Sequence, residues 1–237
     1  MHNLIEEIQE DNRWRDGELA IFKQNPRNVD TNLWNRMCLP MIYAHWEGYV
    51  VNSLKLLIGH LNSLELSPDE VSTKLVVLGL DKSYSSLSGK QSFEQRIEFT
   101  NKFKDLFQKA LKFKKEIDTK SNLNSKVLEE LCVIFDFNFD AFKDVKFDID
   151  RIVAFRNRIA HGENSIVPES EGIEKYILSE KEIQKIINEM LLEKKEKLKS
   201  KKLIEALFIE GRSVKSFPLR LIYMETPLKE EGISHQV

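Results

Sequence analysis

Apolar residues recur at helical spacing along nearly the whole chain. Between Thr31 and Leu61, for example, they return every three or four residues, which places them on one face of an α-helix. Glycine and proline, with nine and six residues, are sparse for a chain of 237 residues. An all-β fold needs many tight turns built from these residues, so their scarcity argues against one. The sequence predicts an all-α fold, a helical bundle with a long C-terminal amphipathic helix.

The same spacing divides the chain into helical segments. Their predicted ranges, to within a few residues, are 4–24, 31–61, 68–78, 92–113, 125–135, 148–161 and 179–208. Residues 1–210 are therefore predicted to form one helical domain. Residues 211–237 change in character and include a short segment that could be extended, so they are predicted to be a partly ordered C-terminal extension.

Local signals refine the helix boundaries and the core. Ser92 with Gln95, and Ser179 with Glu182, have the spacing of a capping box, in which two side chains satisfy free backbone N–H groups at a helix N-terminus. Pro40 is expected to kink or restart the second helix. Five phenylalanines at helical spacing are expected to face the core rather than to stack on bases: Phe93, Phe99, Phe103, Phe107 and Phe113.

Composition limits the class of protein. A hydrophobic fraction of 41% supplies a sizeable core, which excludes wholesale disorder. A net charge of −2 gives the whole molecule no attraction for a polyanion, so contact with nucleic acid requires a local patch. Cys38 and Cys132 lie among apolar neighbours and are expected to be reduced thiols. The chain shows no secretory signal and no apolar run of ~20 residues, so a soluble, cytoplasmic protein without a membrane partner is expected.

The segment AFRNRIAHGE, residues 154–163, concentrates polar side chains at the end of the sixth predicted helix. At ~100° per residue, Asn157 and His161 share one face of that helix, and so do Arg158 and His161. Arg156 lies about 140° around the axis from His161 and about 7.5 Å along it, so its long side chain could curl back toward the same phosphate. A guanidinium offers a donor fork to phosphate oxygens, and an imidazole changes its charge near neutrality.

Spacing alone leaves two interpretations of this segment open. Gly162 is placed to end the helix. The cationic side chains before it could act on a substrate. They could equally offset the helix dipole, a contribution of about 0.3–1 kcal/mol each.

The segment resembles the R-x-x-x-x-H signature of HEPN domains, with Arg156 at the arginine and His161 at the histidine. The segment MIYAHWEGYV, residues 41–50, is similar to the aromatic second-helix segment of one subgroup of these proteins, and the resemblance covers roughly residues 4–208. HEPN domains are all-α proteins found widely in prokaryotic toxin–antitoxin and phage-defence loci. HEPN toxins are typically homodimers in which two signature motifs meet and form one composite cleft.

The resemblance implies an endoribonuclease that cleaves RNA without a metal or another cofactor. Arg156 and His161 would be its catalytic residues, the arginine stabilising charge on the phosphoryl oxygens and the histidine acting as general acid or base. Asn157 and Arg158 would support them by orienting the histidine or by binding the phosphate. Glu47, in the second predicted helix, could hold one of the arginines through an ion pair, or it could simply be an edge residue of the core.

The resemblance also implies partners, namely an RNA substrate, a second copy of the chain and a cognate antitoxin protein. In some HEPN toxins a tyrosine two residues after the histidine is modified by a partner nucleotidyltransferase, but this chain has Glu163 there. An antitoxin that acts by direct binding is therefore the easier expectation. A second hypothesis stays open, a non-catalytic HEPN-like module that binds RNA, a nucleotide or a protein partner.

Overall fold

The computed structural model describes residues 4–24, 29–85, 92–165 and 168–209. Within these ranges the chain forms seven α-helices and two short 3-10 turns, Pro68–Glu70 and Phe139–Phe142, and no described residue lies in a β-strand. The prediction of an all-α fold is confirmed. The helices are α1 (Leu4–Phe22), α2 (Thr31–Ser63), α3 (Thr73–Ser85), α4 (Phe93–Phe107), α5 (Ser125–Phe135), α6 (Lys146–Ala160) and α7 (Ser170–Ile209).

Helix α2 forms the centre of the fold. Asp30 caps its N-terminus, because the Asp30 carboxylate accepts a hydrogen bond of 2.9 Å from the Leu33 N–H. Helices α1 and α6 pack against it, and Trp46 and Tyr49 are among its fully buried side chains. The helix continues through Pro40, which does not restart it. The aromatic segment of α2 is therefore buried beside the helix that carries the R-x-x-x-x-H motif.

An irregular segment, residues 109–124, connects α4 to α5 and lies along α2; we call it the strap. Near the C-terminal end of α2, the Asn62 side chain exchanges two hydrogen bonds of 2.8 Å with the backbone of Phe113. Farther along the strap, the Leu123 N–H donates to the Tyr43 hydroxyl at 2.9 Å. These contacts span about five turns of α2. The strap therefore brings its last residues to the middle of the fold.

Helix α4 begins as predicted but ends early. The Ser92 N–H donates to Gln95 Oε1 at 2.9 Å, and the Gln95 N–H donates to Ser92 Oγ at 3.2 Å, so this capping box is confirmed. The helix ends at Phe107 rather than near residue 113. The chain then leaves the helix and buries Leu111, whose N–H donates to the Leu66 carbonyl at 2.7 Å.

Of the phenylalanines of α4, Phe103 packs against the core as predicted, whereas Phe93 and Phe107 are exposed. No residue of α4, which the structure describes completely, is buried, and Phe93 is 64% exposed. The rings of Phe99, Phe103 and Phe107 contact one another in succession, with centroid separations of 5.4 and 5.0 Å. Phe113 is buried, but it belongs to the strap. The spacing identified an apolar face correctly, and the described part of the chain covers it only in part, at Phe103 and Leu106.

Helix α7 begins at Ser170, so the prediction that Ser179 and Glu182 form its capping box is wrong. Both residues lie inside the helix. Ser179 is buried there, and its hydroxyl donates to a carboxylate oxygen of Asp148, in α6, at 2.9 Å. Lys175 Nζ donates to the other carboxylate oxygen at 2.6 Å. Because the Ser179 hydroxyl is bonded to another helix, it does not compete for the backbone hydrogen bonds of its own helix.

The chain divides into two compact units, with the boundary between Leu198 and Lys199. Of the second unit, the structure describes residues 199–209, which form the last turns of α7. The predicted extension at 211–237 lies outside the described residues and stays a prediction. None of the helices within the described ranges combines the length and the apolar character that crossing a membrane requires.

Candidate functional site

The R-x-x-x-x-H motif occupies the C-terminal end of α6. His161 is the C-cap, and its N–H donates to the Asn157 carbonyl at 2.9 Å. Gly162 follows in the left-handed region, with φ of +82°, which a glycine adopts without steric cost. The predicted stop at Gly162 is confirmed. His161 is exposed at this helix end, so its imidazole is accessible to a ligand.

The Arg156 guanidinium lies against the ring of Tyr43, in α2. Its Cζ atom is 4.0 Å from the ring centroid, which is the geometry of a cation–π contact. Its Nη2 atom donates to the Ser121 carbonyl at 3.1 Å and to Asn122 Oδ1 at 3.3 Å. Arg156 is only half-buried, so this fixed cation still faces solvent on one side.

The Tyr43 hydroxyl is neutral in this position. Burial raises the pKa of Tyr43 above its ordinary value and the charge of Glu47 acts in the same direction, while the hydrogen bond from Leu123 and the nearby Arg156 act in the opposite direction. A neutral tyrosine forms no ion pair with the guanidinium, so the positive charge of Arg156 is not cancelled by its ring partner.

Asn157 contacts the same acceptor as Arg156. Its Nδ2 atom donates to Asn122 Oδ1 at 2.8 Å. A carbonyl oxygen has two lone pairs, so the Asn122 amide can serve both α6 side chains. Asn157 was expected to orient the histidine or the phosphate, and here its amide group is directed to the strap.

Arg158 forms an ion pair within the motif region. Its Nε atom lies 2.6 Å from Glu163 Oε2. The Glu163 carbonyl in turn accepts a hydrogen bond of 2.9 Å from Arg36 Nη1, in α2. Arg158 is therefore partly neutralised by its carboxylate partner, whereas Arg156 has neutral acceptors.

Of the two roles that the sequence leaves open for Glu47, the ion pair with a motif arginine does not form, and Glu47 is a half-buried edge residue. Among the described residues no ion pair joins Glu47 to Arg156 or Arg158; its carboxylate instead accepts a hydrogen bond of 2.6 Å from Thr119 Oγ1. The strap lies against this part of α2 and supplies the donor. Glu47 thus contacts the strap and not the guanidinium groups.

Three of the site's contact residues were not recognised in the sequence. Tyr43 lies within the aromatic segment 41–50, but nothing in the local spacing distinguishes it from its aromatic neighbours. Ser121 and Asn122 lie in the strap, about 35 residues before the motif. Their role depends on the path of an irregular segment, which periodicity does not describe.

The described residues contain no group of three or more histidine, cysteine, aspartate or glutamate side chains with the arrangement of a metal site. Cys38 and Cys132 are both buried and free, as expected. Burial raises the pKa of the Cys38 thiol to about 11 and that of Cys132 to about 12, so neither is a reactive thiolate near neutral pH.

Comparison with known proteins gives a family assignment. A model of the RiboL-PSP-HEPN family matches residues 10–210. No curated protein and no solved structure matches the chain significantly. The family match covers both the aromatic segment of α2 and the R-x-x-x-x-H motif of α6. The chain belongs to the RiboL-PSP-HEPN family.

Proposed function

We propose that this protein is a metal-independent endoribonuclease of the HEPN type. The observation that carries the proposal is the contrast between Arg156 and His161 at the end of α6. The guanidinium is fixed against Tyr43 and hydrogen bonded to neutral acceptors, while the imidazole five residues later is exposed. A fixed cation and an accessible acid–base group are the two components that cleavage of a phosphodiester requires.

RNA carries its own nucleophile, so this chemistry needs no bound metal. The 2′-oxygen attacks the adjacent phosphorus, the bond from phosphorus to the 5′-oxygen breaks, and a 2′,3′-cyclic phosphate and a 5′-hydroxyl result. One proton leaves the 2′-hydroxyl and another reaches the departing 5′-oxygen, and His161 performs one of these transfers. Arg156 stabilises the negative charge on the phosphoryl oxygens. Asn157 and Arg158 contribute to phosphate binding beside it.

A second copy of the chain completes the site in this proposal. The motif carries one imidazole, and two proton transfers are needed, so two motifs facing each other supply one histidine for each. Leu33, Met37 and Met41 recur at a spacing of four residues along α2 and are all exposed. Such an exposed apolar stripe is a suitable homodimer surface.

A role as the toxin of a toxin–antitoxin or phage-defence system belongs to the same proposal, and so does a cytoplasmic location, where RNA is available. It is supported by the resemblance to HEPN toxins. At the position where some of these proteins carry a modifiable tyrosine, this chain has Glu163, which pairs with Arg158. The corresponding partner is therefore an antitoxin that binds the protein directly.

The proposal is tested by substituting the two motif residues in the purified protein. Arg156→Ala and His161→Ala should each lower RNA cleavage by at least about 100-fold. Arg13→Ala is a matched control, because Arg13 is an exposed arginine of α1 paired with Glu10. If the wild type binds RNA but leaves it intact, the hypothesis of a non-catalytic binding module replaces the nuclease proposal.

A further inference from the structure

The Asn122 side chain connects the strap to both polar residues of α6. Its Oδ1 atom accepts from Arg156 Nη2 at 3.3 Å and from Asn157 Nδ2 at 2.8 Å. The Ser121 carbonyl beside it accepts from the same Nη2 atom at 3.1 Å. Both strap acceptors therefore meet the guanidinium at a single nitrogen, which fixes one corner of the group.

The backbone on either side of Asn122 is held firmly. Lys120 and Ser121 have φ of 52° and 60°, a left-handed conformation that is unfavourable for residues other than glycine. Surrounding hydrogen bonds maintain it. Before Asn122, Thr119 donates to Glu47, and after it, the Trp46 ring donates to the Leu123 carbonyl at 3.0 Å.

The hydrogen bonds of Thr119 and Leu123 both end on α2, the helix that also supplies Tyr43. The guanidinium of Arg156 thus lies between a ring of α2 and an amide whose backbone is fixed to α2. An arginine side chain has many rotamers in solution, and ordering it before the substrate binds removes that entropy cost from the reaction.

The chemistry of the acceptor matters as much as its position. An asparagine oxygen is neutral, so it orients the guanidinium without cancelling its charge. The contrast with Arg158 is direct, because Arg158 is paired with the carboxylate of Glu163. Of these two arginines in the motif, the one hydrogen bonded to neutral partners retains more of its attraction for a phosphate.

We propose that Asn122 is the positioning residue of the site, which holds Arg156 as an oriented but uncompensated cation for the scissile phosphate. This inference rests on the proposed nuclease function. It assigns to the strap a role in catalysis that is exerted through Arg156, without contact between Asn122 and the reacting atoms.

Two substitutions separate orientation from charge. Asn122→Ala removes the acceptor, so kcat should fall by about 10- to 100-fold, while the salt dependence of binding stays that of the wild type. Asn122→Asp keeps an acceptor but adds a negative charge beside the guanidinium. It should therefore reduce the slope of log Kd against log salt by about 0.7, the value for one phosphate contact on a single strand. Binding is measured with a 2′-deoxy oligonucleotide, which lacks the nucleophile and is not cleaved.

A double-mutant cycle tests whether Asn122 acts through Arg156. In the Arg156→Ala background, Asn122→Ala should lower kcat/KM much less than it does in the wild type, because only its contact with Asn157 is left to lose. Asn101→Ala, at an exposed asparagine of α4, is the matched control and should match the wild type. Thermal unfolding of each variant reports separately on the fold.

The outcomes distinguish this inference from the proposed function. If the wild type cleaves RNA and Asn122→Ala cleaves it equally well, Asn122 is not a positioning residue and the nuclease proposal stands. If Asn122→Ala lowers kcat/KM equally with and without Arg156, its role is merely structural and the inference is wrong. A wild type that leaves RNA intact overturns both.

Discussion

The Cζ atom of Arg156 lies 4.0 Å from the centroid of the Tyr43 ring. This contact joins two segments, the aromatic part of α2 and the polar end of α6, that are far apart in the sequence. The Tyr43 hydroxyl also accepts a hydrogen bond of 2.9 Å from the Leu123 N–H. One side chain therefore supports both the candidate catalytic arginine and the strap that contacts it.

Two substitutions at Tyr43 separate these roles. Tyr43→Phe keeps the ring but leaves the buried Leu123 N–H without its acceptor, so the free energy of unfolding should fall by about 1–3 kcal/mol. Tyr43→Leu removes the ring as well, so RNA cleavage should fall further than in Tyr43→Phe. Urea unfolding and cleavage rates measure the two effects. Cleavage by Tyr43→Leu at the wild-type rate would show that the ring does not support Arg156.

The serine in the middle of α7 provides a test of tertiary contact against local capping. Ser179→Ala removes a buried hydrogen bond to Asp148 and should lower the free energy of unfolding by about 1–2 kcal/mol. Glu182→Ala is the matched control, because Glu182 is an exposed residue inside the helix and its loss should change stability by less than about 0.5 kcal/mol. Equal destabilisation by the two variants would favour the capping box after all.

The raised pKa of Glu180 predicts that the stability of the fold depends on pH. Burial raises the pKa of Glu180 from an ordinary 4.5 to about 7, and the nearby Asp16 acts in the same direction, whereas hydrogen bonding by Gln184 and the charges of Lys181 and Arg15 oppose it. The folded protein therefore keeps a proton that the unfolded chain releases between these pH values. The stability that Glu180 contributes is present below about pH 4.5 and is lost as the pH rises to about 7.

Glu180→Gln should remove this dependence. The variant should gain roughly 3 kcal/mol relative to the wild type between pH 5 and pH 8, measured as the difference in free energy of urea unfolding. His45 changes stability in the opposite direction, because burial lowers the pKa of that imidazole, so the comparison is made between variant and wild type at each pH. A difference that is the same at both pH values contradicts the prediction.

The exposed apolar stripe on α2 predicts that charges introduced there prevent dimer formation. Met37 and Met41 are 56% and 43% exposed. In the proposed dimer, Met37→Asp with Met41→Asp would place two carboxylates from each protomer in the buried interface, so the protein should be monomeric by light scattering and should lose cleavage. Leu178→Asp, at an exposed apolar residue of α7, is the matched control and should change neither property. A monomeric double variant that cleaves RNA normally would exclude a composite site.

Much of the fold could be predicted because it depends on local signals. The spacing of apolar residues gave the all-α class, and Gly162 and the Ser92–Gln95 pair marked helix ends that the structure confirms. The capping box predicted at Ser179 is wrong because Ser179 and Glu182 have the spacing of a cap, whereas the Ser179 hydroxyl donates to Asp148 in another helix. A short local pattern carries no information about such a distant partner.

The candidate site divides in the same way. The residues of the R-x-x-x-x-H motif are close in sequence, so their position at the end of one helix could be predicted. Tyr43 and Asn122 were missed because they reach Arg156 only through the packing of α2 and the path of the strap. The sequence left two roles open for Glu47 for the same reason, since its partner, Thr119, comes from the strap.

The most direct measurement is digestion of RNA by the purified protein in excess EDTA, with analysis of the fragment ends. We predict that the wild type forms fragments with 2′,3′-cyclic phosphate and 5′-hydroxyl ends and that His161→Ala forms none. Intact RNA, or 5′-phosphate ends that disappear when EDTA is added, would contradict this prediction.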